Sequence, residues 1–377
     1  MPPRIVIVTG EASGDVYGAM LAAEIMKKRP DIVVSGVGGE RMRAAGVDIF
    51  QDSGNLPVVG FWEAIVRLPE LRRAMNSMKS YIARERPDLL ILIDYPGMNL
   101  RLASFAREKG IKVMYYISPQ VWAWGRSRVK AIRKNVDKMV VILPFELEFY
   151  RNEGVDVDYV GHPLIDLVKT EIDREDFLER YGVAPGSKLV SLLPGSRLQE
   201  IGHHLAPLLE TARALGRAVP GIEFVVVSVP EYRDLIEKEL RNLGLAYPVV
   251  TEHKYASIAA SDLALTCSGT VTLEAALLGT PMIVIYRLSL VSWLLGRLVV
   301  RVPYISLANL VAGRQAVPEL IQGGVTSEGL VRESMRILND SQVSEKMRSD
   351  LGEVRSRLGQ GGATARAADI AIALASR

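Results

Sequence analysis

The sequence predicts an α/β protein made of two doubly wound, Rossmann-like halves, each a parallel sheet covered by helices. Three observations predict it. Short apolar runs bounded by glycine and proline alternate with amphipathic helical stretches along both halves. Several of those runs end in turns rich in glycine and hydroxyl residues that open a helix. The 377 residues suffice for two domains with separate cores, and 49% apolar with 24% charged residues is ordinary for a globular chain.

Composition also excludes classes. A formal net charge of +3 is too small to argue for a nucleic-acid partner, and no motif for one is present. Cys267 is the single cysteine, so there is no intrachain disulfide and no cysteine metal cluster; that suits a reducing cytoplasm. The N-terminus lacks the apolar region and cleavage site of a signal peptide. The most apolar window, 281–300, contains Arg287 and Arg297. A central arginine costs about 2.5–3.5 kcal/mol on insertion scales, so a transmembrane span is rejected.

In order, residues 4–9 read as a strand, 10–15 (GEASGD) as its turn, and a helix follows to about Lys28. Residues 32–37 form the second strand. The GVGG that closes it only partly resembles a dinucleotide fingerprint and follows the wrong strand, so NAD is set aside. Residues 52–65 are a loop and helix start carrying Val58, Val59, Phe61 and Trp62, followed by a helix with Arg67, Arg72, Arg73 and Lys79. That is either an ordinary amphipathic surface or an edge facing an anionic lipid surface.

The 89–93 run ends in Asp94, where open α/β sheets bind ligands; Asp94 either caps the next turn or acts as a general base. The strand at 113–117 leads into SPQVWAW, whose tryptophans wall a sugar or lipid site or anchor the core. After it, Arg126, Lys130 and Arg133 share one helix face. Residues 139–143 start another unit, and 161–170 reads as the interdomain linker. Asp156-Val157-Asp158 matches a short metal-binding pattern, but chance is the better account.

The second half has strands at 189–193, 223–229, 248–251, 263–266 and 282–286. Residues 303–315 read as a loop and 326–375 as helical, the last helix placed to pack back on the first domain. Two turns stand out: Pro194-Gly195-Ser196-Arg197, and Ser268-Gly269-Thr270 with Glu274 one turn into the next helix. Helix N-termini offer unpaired N–H groups and the positive end of the dipole, so both turns could receive a phosphate. Arg197 can neutralise a diphosphate, and Glu274 can accept paired ribose hydroxyls. A nucleotide-diphosphate pocket is the simplest joint reading.

The ordered set GEASGD, Asp94 with Pro96 and Asn99, SPQVWAW, LPFE, VGHP, LPGSR, SGTVTLEAALLGTPM, YRLS and SLANLVAGR resembles the lipid-A-disaccharide synthase family, over about 4–320. The resemblance implies a GT-B fold with an interdomain cleft. Its expected domains are 1–165 (plus a final helix at about 360–377) and 166–359. It implies a metal-independent, inverting transfer of 2,3-diacylglucosamine from UDP to 2,3-diacylglucosamine 1-phosphate (lipid X), without cofactors. The implied functional positions are Glu11, Ser13 and Asp94 in the first domain, and Ser196, Arg197, Glu274, Asn309 and Gln315 in the second. The family often carries an acidic residue where this chain has Gln315.

With it comes the expectation of a cytoplasmic protein attached peripherally to the anionic inner-membrane surface, with acyl chains against 58–62 and 288–300. A homodimer is compatible with this reading. The N–H groups around 268–270 and Arg197 would meet the charge growing on the departing phosphate, while Asp94 deprotonates the acceptor hydroxyl. Two other readings share the nucleotide pocket: a UDP-sugar 2-epimerase of the same fold, and a non-catalytic lipid- or nucleotide-binding protein.

Overall fold

Runs of leucine, isoleucine and valine buried on both faces cannot stand as half-exposed strands, so they pair in parallel beneath helices. β4 (Leu89–Ile93) is the extreme case, with all five residues buried. Such a core is close-packed, and Ile91→Ala is expected to cost roughly 2–5 kcal/mol. The computed structural model describes residues 2–55, 68–300 and 302–376. The chain divides into two compact units, Met1–Pro163 with Gly359–Arg377, and Leu164–Leu358.

In the first unit β1 (Arg4–Val8), β2 (Val33–Gly38), β3 (Asp48–Asp52), β4, β5 (Lys112–Tyr116), β6 (Lys138–Val141) and β7 (Val157–Tyr159) form one parallel sheet. Their order is β3-β2-β1-β4-β5-β6-β7. The direction of winding reverses between β1 and β4, where Val6 lies beside Leu90. That reversal leaves a crevice at the carboxyl ends of the two strands. The helix Ala363–Ala375 packs on Ala12–Lys28 through a stripe of small residues, Ala367, Ala368 and Ala371, all buried. Polar ties fix it: Lys28 Nζ reaches Asp369 at 2.5 Å, and the Arg366 guanidinium donates to the Val160 carbonyl at 2.6 Å.

The second unit repeats the winding. β8 (Lys188–Leu193), β9 (Ile222–Val227), β10 (Val249–Val250), β11 (Leu263–Cys267), β12 (Met282–Tyr286) and β13 (Glu319–Ile321) lie in the order β10-β9-β8-β11-β12-β13. Its switch point is between β8 and β11. The α/β class read from the alternation is therefore the observed one, in two parallel sheets.

Local departures have physical reasons. β3 and β13 are partly exposed edge strands whose sequences lack an apolar run. The expected loop at 303–315 contains a short helix, Leu307–Ala312. Ser306 caps it by accepting the Asn309 N–H at 3.2 Å, and Glu319 receives the N–H groups of Ile305 and Ser306 at 2.9 Å each. Asp156 and Asp158 both pair with Lys138, at 2.7 and 2.9 Å, which accounts for their spacing. Val58, Val59, Phe61, Trp62 and Arg67 lie outside the described residues.

Candidate active site

At the first switch point the backbone is forced into conformations that side chains disfavour. Asp94 and Tyr95, leaving β4, both have φ of 46°, and Ile117, leaving β5, has φ of 63°. Left-handed non-glycine residues cost on the order of 1–3 kcal/mol each and persist only where their surroundings over-determine them. Here the clamp is Asn99, fully buried, whose Nδ2 donates to the carbonyls of Ile93 at 3.1 Å and Asp94 at 2.8 Å. The Tyr115 hydroxyl donates to the same Asp94 carbonyl, and the Asp94 N–H reaches the Ile117 carbonyl at 3.3 Å. Tyr95, not Asp94, occupies the cap position of the helix Pro96–Glu108. The Asp94 side chain is half-buried at the carboxyl edge of the sheet.

The turn after β1 meets this one directly. A Cβ on Gly10 would lie 2.3 Å from Cγ of Tyr95, so the phenol ring rests on the bare Gly10 backbone. Glu11 stands at the N-cap of Ala12–Lys28 without its side chain capping the helix. It faces Tyr95, whose phenol is raised first by burial and then by the Glu11 charge. Ser13 is exposed one residue into the helix. Asp15 is structural, since it accepts the N–H groups of Gly39, Arg41 and Met42 and caps the helix Glu40–Ala44.

Glu146 ends the LPFE motif, three positions after the cap residue Leu143 of its helix. It is 2% exposed and accepts the Trp122 Nε1–H at 3.0 Å and the Leu143 N–H at 3.1 Å. Burial pushes its carboxyl up to about 8 against the pull of those donors. The two tryptophans consequently differ: Trp122 is anchored, whereas Trp124 is exposed and stacks with Arg128 at 4.7 Å.

In the second unit the two turns differ. Gly195 has φ of 128°, and a Cβ there would sit 2.5 Å from Cβ of Glu200. Glu200 folds back across the turn and accepts the N–H groups of Ser196 at 2.9 Å and Arg197 at 3.3 Å. Those amides, expected to receive a phosphate, are committed to an internal carboxylate. A residue at the cap followed three positions on by glutamate is a capping-box spacing, so the signal is present in the sequence. The Arg197 guanidinium is largely exposed, 3.5 Å from the same carboxylate.

At the end of β11 the Ser268 N–H goes to the Ile285 carbonyl at 3.0 Å and its hydroxyl donates to the Ile305 carbonyl at 2.9 Å. Gly269 and Thr270 differ. Among the described residues no acceptor takes either N–H, and no atom lies within 4 Å of where a Gly269 Cβ would be. These two amides open the helix Val271–Leu278 and, like other N–H groups at a helix start, can donate to an anion. Glu274, one turn on, is 6% exposed and held by Lys254 at 2.6–2.7 Å, a partner that no sequence pattern announces.

Lys254 also lines a cavity of about 270 Å³ past the end of β10, with Lys169, Thr251, His253 and Tyr255. His253 is fixed there in one tautomer, its Nε2 accepting from Arg180 and its Nδ1–H donating to Glu171 at 2.8 Å. Cys267 is buried and its thiol is pushed up to about 12, which leaves it inert.

Asn309 sits in a hydrogen-bonded cage. It is fully buried and its amide is saturated: Nδ2 donates to Val317 and Glu319, while Oδ1 accepts from Ala316 and Val317. It holds the 313–319 return loop. Gln315 lies exposed on that loop. The fold thus brings Glu11 and Asp94 to one switch point, and Arg197, Gly269, Thr270 and Glu274 to the other.

A family model described as lipid-A-disaccharide synthetase matches residues 5–373. The chain belongs to that family. The lipid-A-disaccharide synthase of Geobacter sulfurreducens is 43% identical over 370 residues, covering 98% of this chain and 96% of its own length. That of Myxococcus xanthus is 40% identical over 99% of this chain and 98% of its own. Among solved structures, the UDP-GlcNAc 2-epimerase of Neisseria meningitidis bound to UDP-GlcNAc superposes with a TM-score of 0.69 at 12% identity, over 98% of this chain and 100% of that one. The glycotransferase of kitacinnamycin gives 0.66 at 17% identity, over 99% of each chain. At such identities these neighbours speak for the fold, which is GT-B. Family membership makes the chain a glycosyltransferase.

Proposed function

We propose that the chain makes lipid A disaccharide 1-phosphate by moving 2,3-diacylglucosamine from its UDP donor to lipid X, with inversion at the anomeric carbon and release of UDP. The family match over residues 5–373 carries this reading. The two switch points supply its chemistry.

In an inverting displacement the acceptor hydroxyl attacks as its proton passes to a base, and the sugar–oxygen bond to the β-phosphate breaks. Asp94 is the base, its carboxylate aimed by a backbone it cannot relax. Glu11 and Ser13 serve the same acceptor. Negative charge grows on the departing diphosphate, where the N–H groups of Gly269 and Thr270 and the Arg197 guanidinium receive it. Ser196, in the same turn, offers its hydroxyl. Glu274 takes the ribose hydroxyls, with Lys254 holding the carboxylate for them. The step needs no metal in this scheme, and full activity in excess EDTA is the expected result.

Acyl chains and membrane contact fall to the helix Leu290–Val299, where Leu290 and Leu294 are 76% and 62% exposed beside Arg297. No helix among the described residues is long and apolar enough to cross a membrane. The exposed leucines beside Arg297 support a peripheral attachment to anionic lipid of the cytoplasmic leaflet. Absence of binding to anionic liposomes would contradict it. The deciding experiment is a transfer assay with UDP-2,3-diacylglucosamine and lipid X, with product linkage and anomeric configuration determined. The reading fails if the UDP-sugar is altered without acceptor, or if no disaccharide forms.

A further inference from the structure

We infer that His204 is a positioning residue for the donor site, a buried imidazole that ties the 194–197 turn to the segment leaving β12. The inference rests on the reading of that turn as part of the diphosphate seat.

His204 lies one helical turn beyond Glu200 on the helix Leu198–Ala218 and is 2% exposed. Both ring nitrogens are engaged with backbone: Nδ1 is 3.0 Å from the Pro194 carbonyl, and Nε2 is 3.0 Å from the Arg287 N. A carbonyl only accepts and a peptide N–H only donates, so the ring is neutral with its proton on Nδ1. The strand order β8-β11-β12 makes this a bridge spanning β11. The open amides of Gly269 and Thr270 thus emerge between two segments that His204 joins. The far side of the bridge is fixed as well, because Gln322 grips Leu288 through both its N–H and its carbonyl, at 2.7 and 3.1 Å.

Packing alone would not select this residue. Its neighbours on the buried helix face are Ile201, Leu205 and Leu208, and an aliphatic side chain would avoid the desolvation of an imidazole. A bridge with one donor and one acceptor does require it. Burial lowers the ring's proton affinity; the Pro194 carbonyl and the Glu200 charge oppose this, while His203 and Arg287 add to it. Protonation would turn Nε2 into a second donor facing the Arg287 N–H and break the tie on that side.

The test is calorimetric titration of UDP into wild type, His204→Phe, His204→Gln and Arg197→Ala, repeated from neutral pH downward, with folding checked by circular dichroism. His204→Phe should weaken UDP binding by about tenfold, the scale of one or two lost hydrogen bonds, and raise the donor KM without moving the acceptor KM. His204→Gln can still accept the Arg287 N–H and cannot titrate. Its affinity should lie nearer wild type, and the wild-type-to-Gln ratio should fall as the pH drops below that of an ordinary imidazole. That ratio cancels the titration of UDP itself. Folded His204→Phe with wild-type affinity overturns the inference, as does a pH-independent wild-type-to-Gln ratio should the Phe variant not fold. Unchanged UDP affinity in Arg197→Ala instead overturns the reading of the turn on which the inference stands.

Discussion

The two switch points occupy the same place in the same strand order, yet their backbones are prepared in opposite ways. At β1 and β4 a pair of left-handed, side-chain-bearing residues is locked by Asn99 and Tyr115, and the phenol of Tyr95 lies on a glycine that leaves it room. At β11 no side-chain-bearing residue is left-handed, and the N–H groups of Gly269 and Thr270 have no acceptor among the described residues. The first arrangement fixes the backbone that carries Asp94, which under the proposed function would aim its carboxylate. Under the proposed function, the second is a small anion seat whose occupant would supply the missing acceptors. Aiming and receiving are different jobs, and the difference says which unit should govern rate and which should govern affinity.

The largest effect expected is on the aiming side. Asp94→Asn should lower turnover by roughly a hundredfold or more, the usual scale for loss of a general base, and steady-state transfer rates measure it directly. Wild-type turnover would remove Asp94 from that role. On the receiving side, Arg197→Ala should weaken UDP binding by about tenfold to a hundredfold, as expected for a charge-assisted contact, read by calorimetry. Equal affinities would assign the diphosphate to other groups.

Asn309→Ala separates a loop-holding role for this residue from a nucleotide-binding one. A saturated buried amide removed from the return loop should cost about 1–3 kcal/mol in denaturant unfolding, with the UDP affinity of the folded fraction near wild type. A selective loss of UDP binding at unchanged stability would return Asn309 to the nucleotide.

The smallest effect concerns pH and the anchored loop of the first unit. Glu146 holds its proton up to about 8 when folded, against 4.5 in the open chain. The folded state therefore binds more protons between those values, and stability falls as pH rises through that window. His162 works the other way. Burial lowers it to about 3 from 6.5, so stability falls as pH drops from 6.5 towards 3. Between 4.5 and 6.5 the two oppose each other, so Glu146→Gln should flatten the slope between pH 6.5 and 8, at most about 1.4 kcal/mol per pH unit, and leave the His162 slope uncancelled below 6.5; a slope surviving between pH 7 and 8 would refute the assignment.

Much of this can be read in the residues. Apolar runs such as LLILI announce buried parallel strands, and the glycine-containing turns after them mark both switch points. Asp48–Asp52 and Glu319–Ile321 cannot be read as strands, because edge strands borrow their pairing from a neighbour and need no apolar run of their own. The Lys254–Glu274 pair and the Asn309 cage join residues 20 and about ten positions apart through tertiary folding, which no local pattern encodes. The strain at Asp94 and Tyr95 is also invisible there, since nothing in Asp-Tyr-Pro specifies a left-handed backbone without Asn99 beneath it. Glu200 is the instructive miss, a capping-box spacing present in plain sequence.

A crossed experiment on the two point variants tests the division of labour most directly: UDP affinity and single-turnover transfer rate, each measured in Asp94→Asn and in Arg197→Ala. The account predicts that Asp94→Asn keeps wild-type UDP affinity while its rate collapses, and that Arg197→Ala loses affinity as well as rate. Loss of UDP binding in Asp94→Asn, or full affinity in Arg197→Ala, would contradict it.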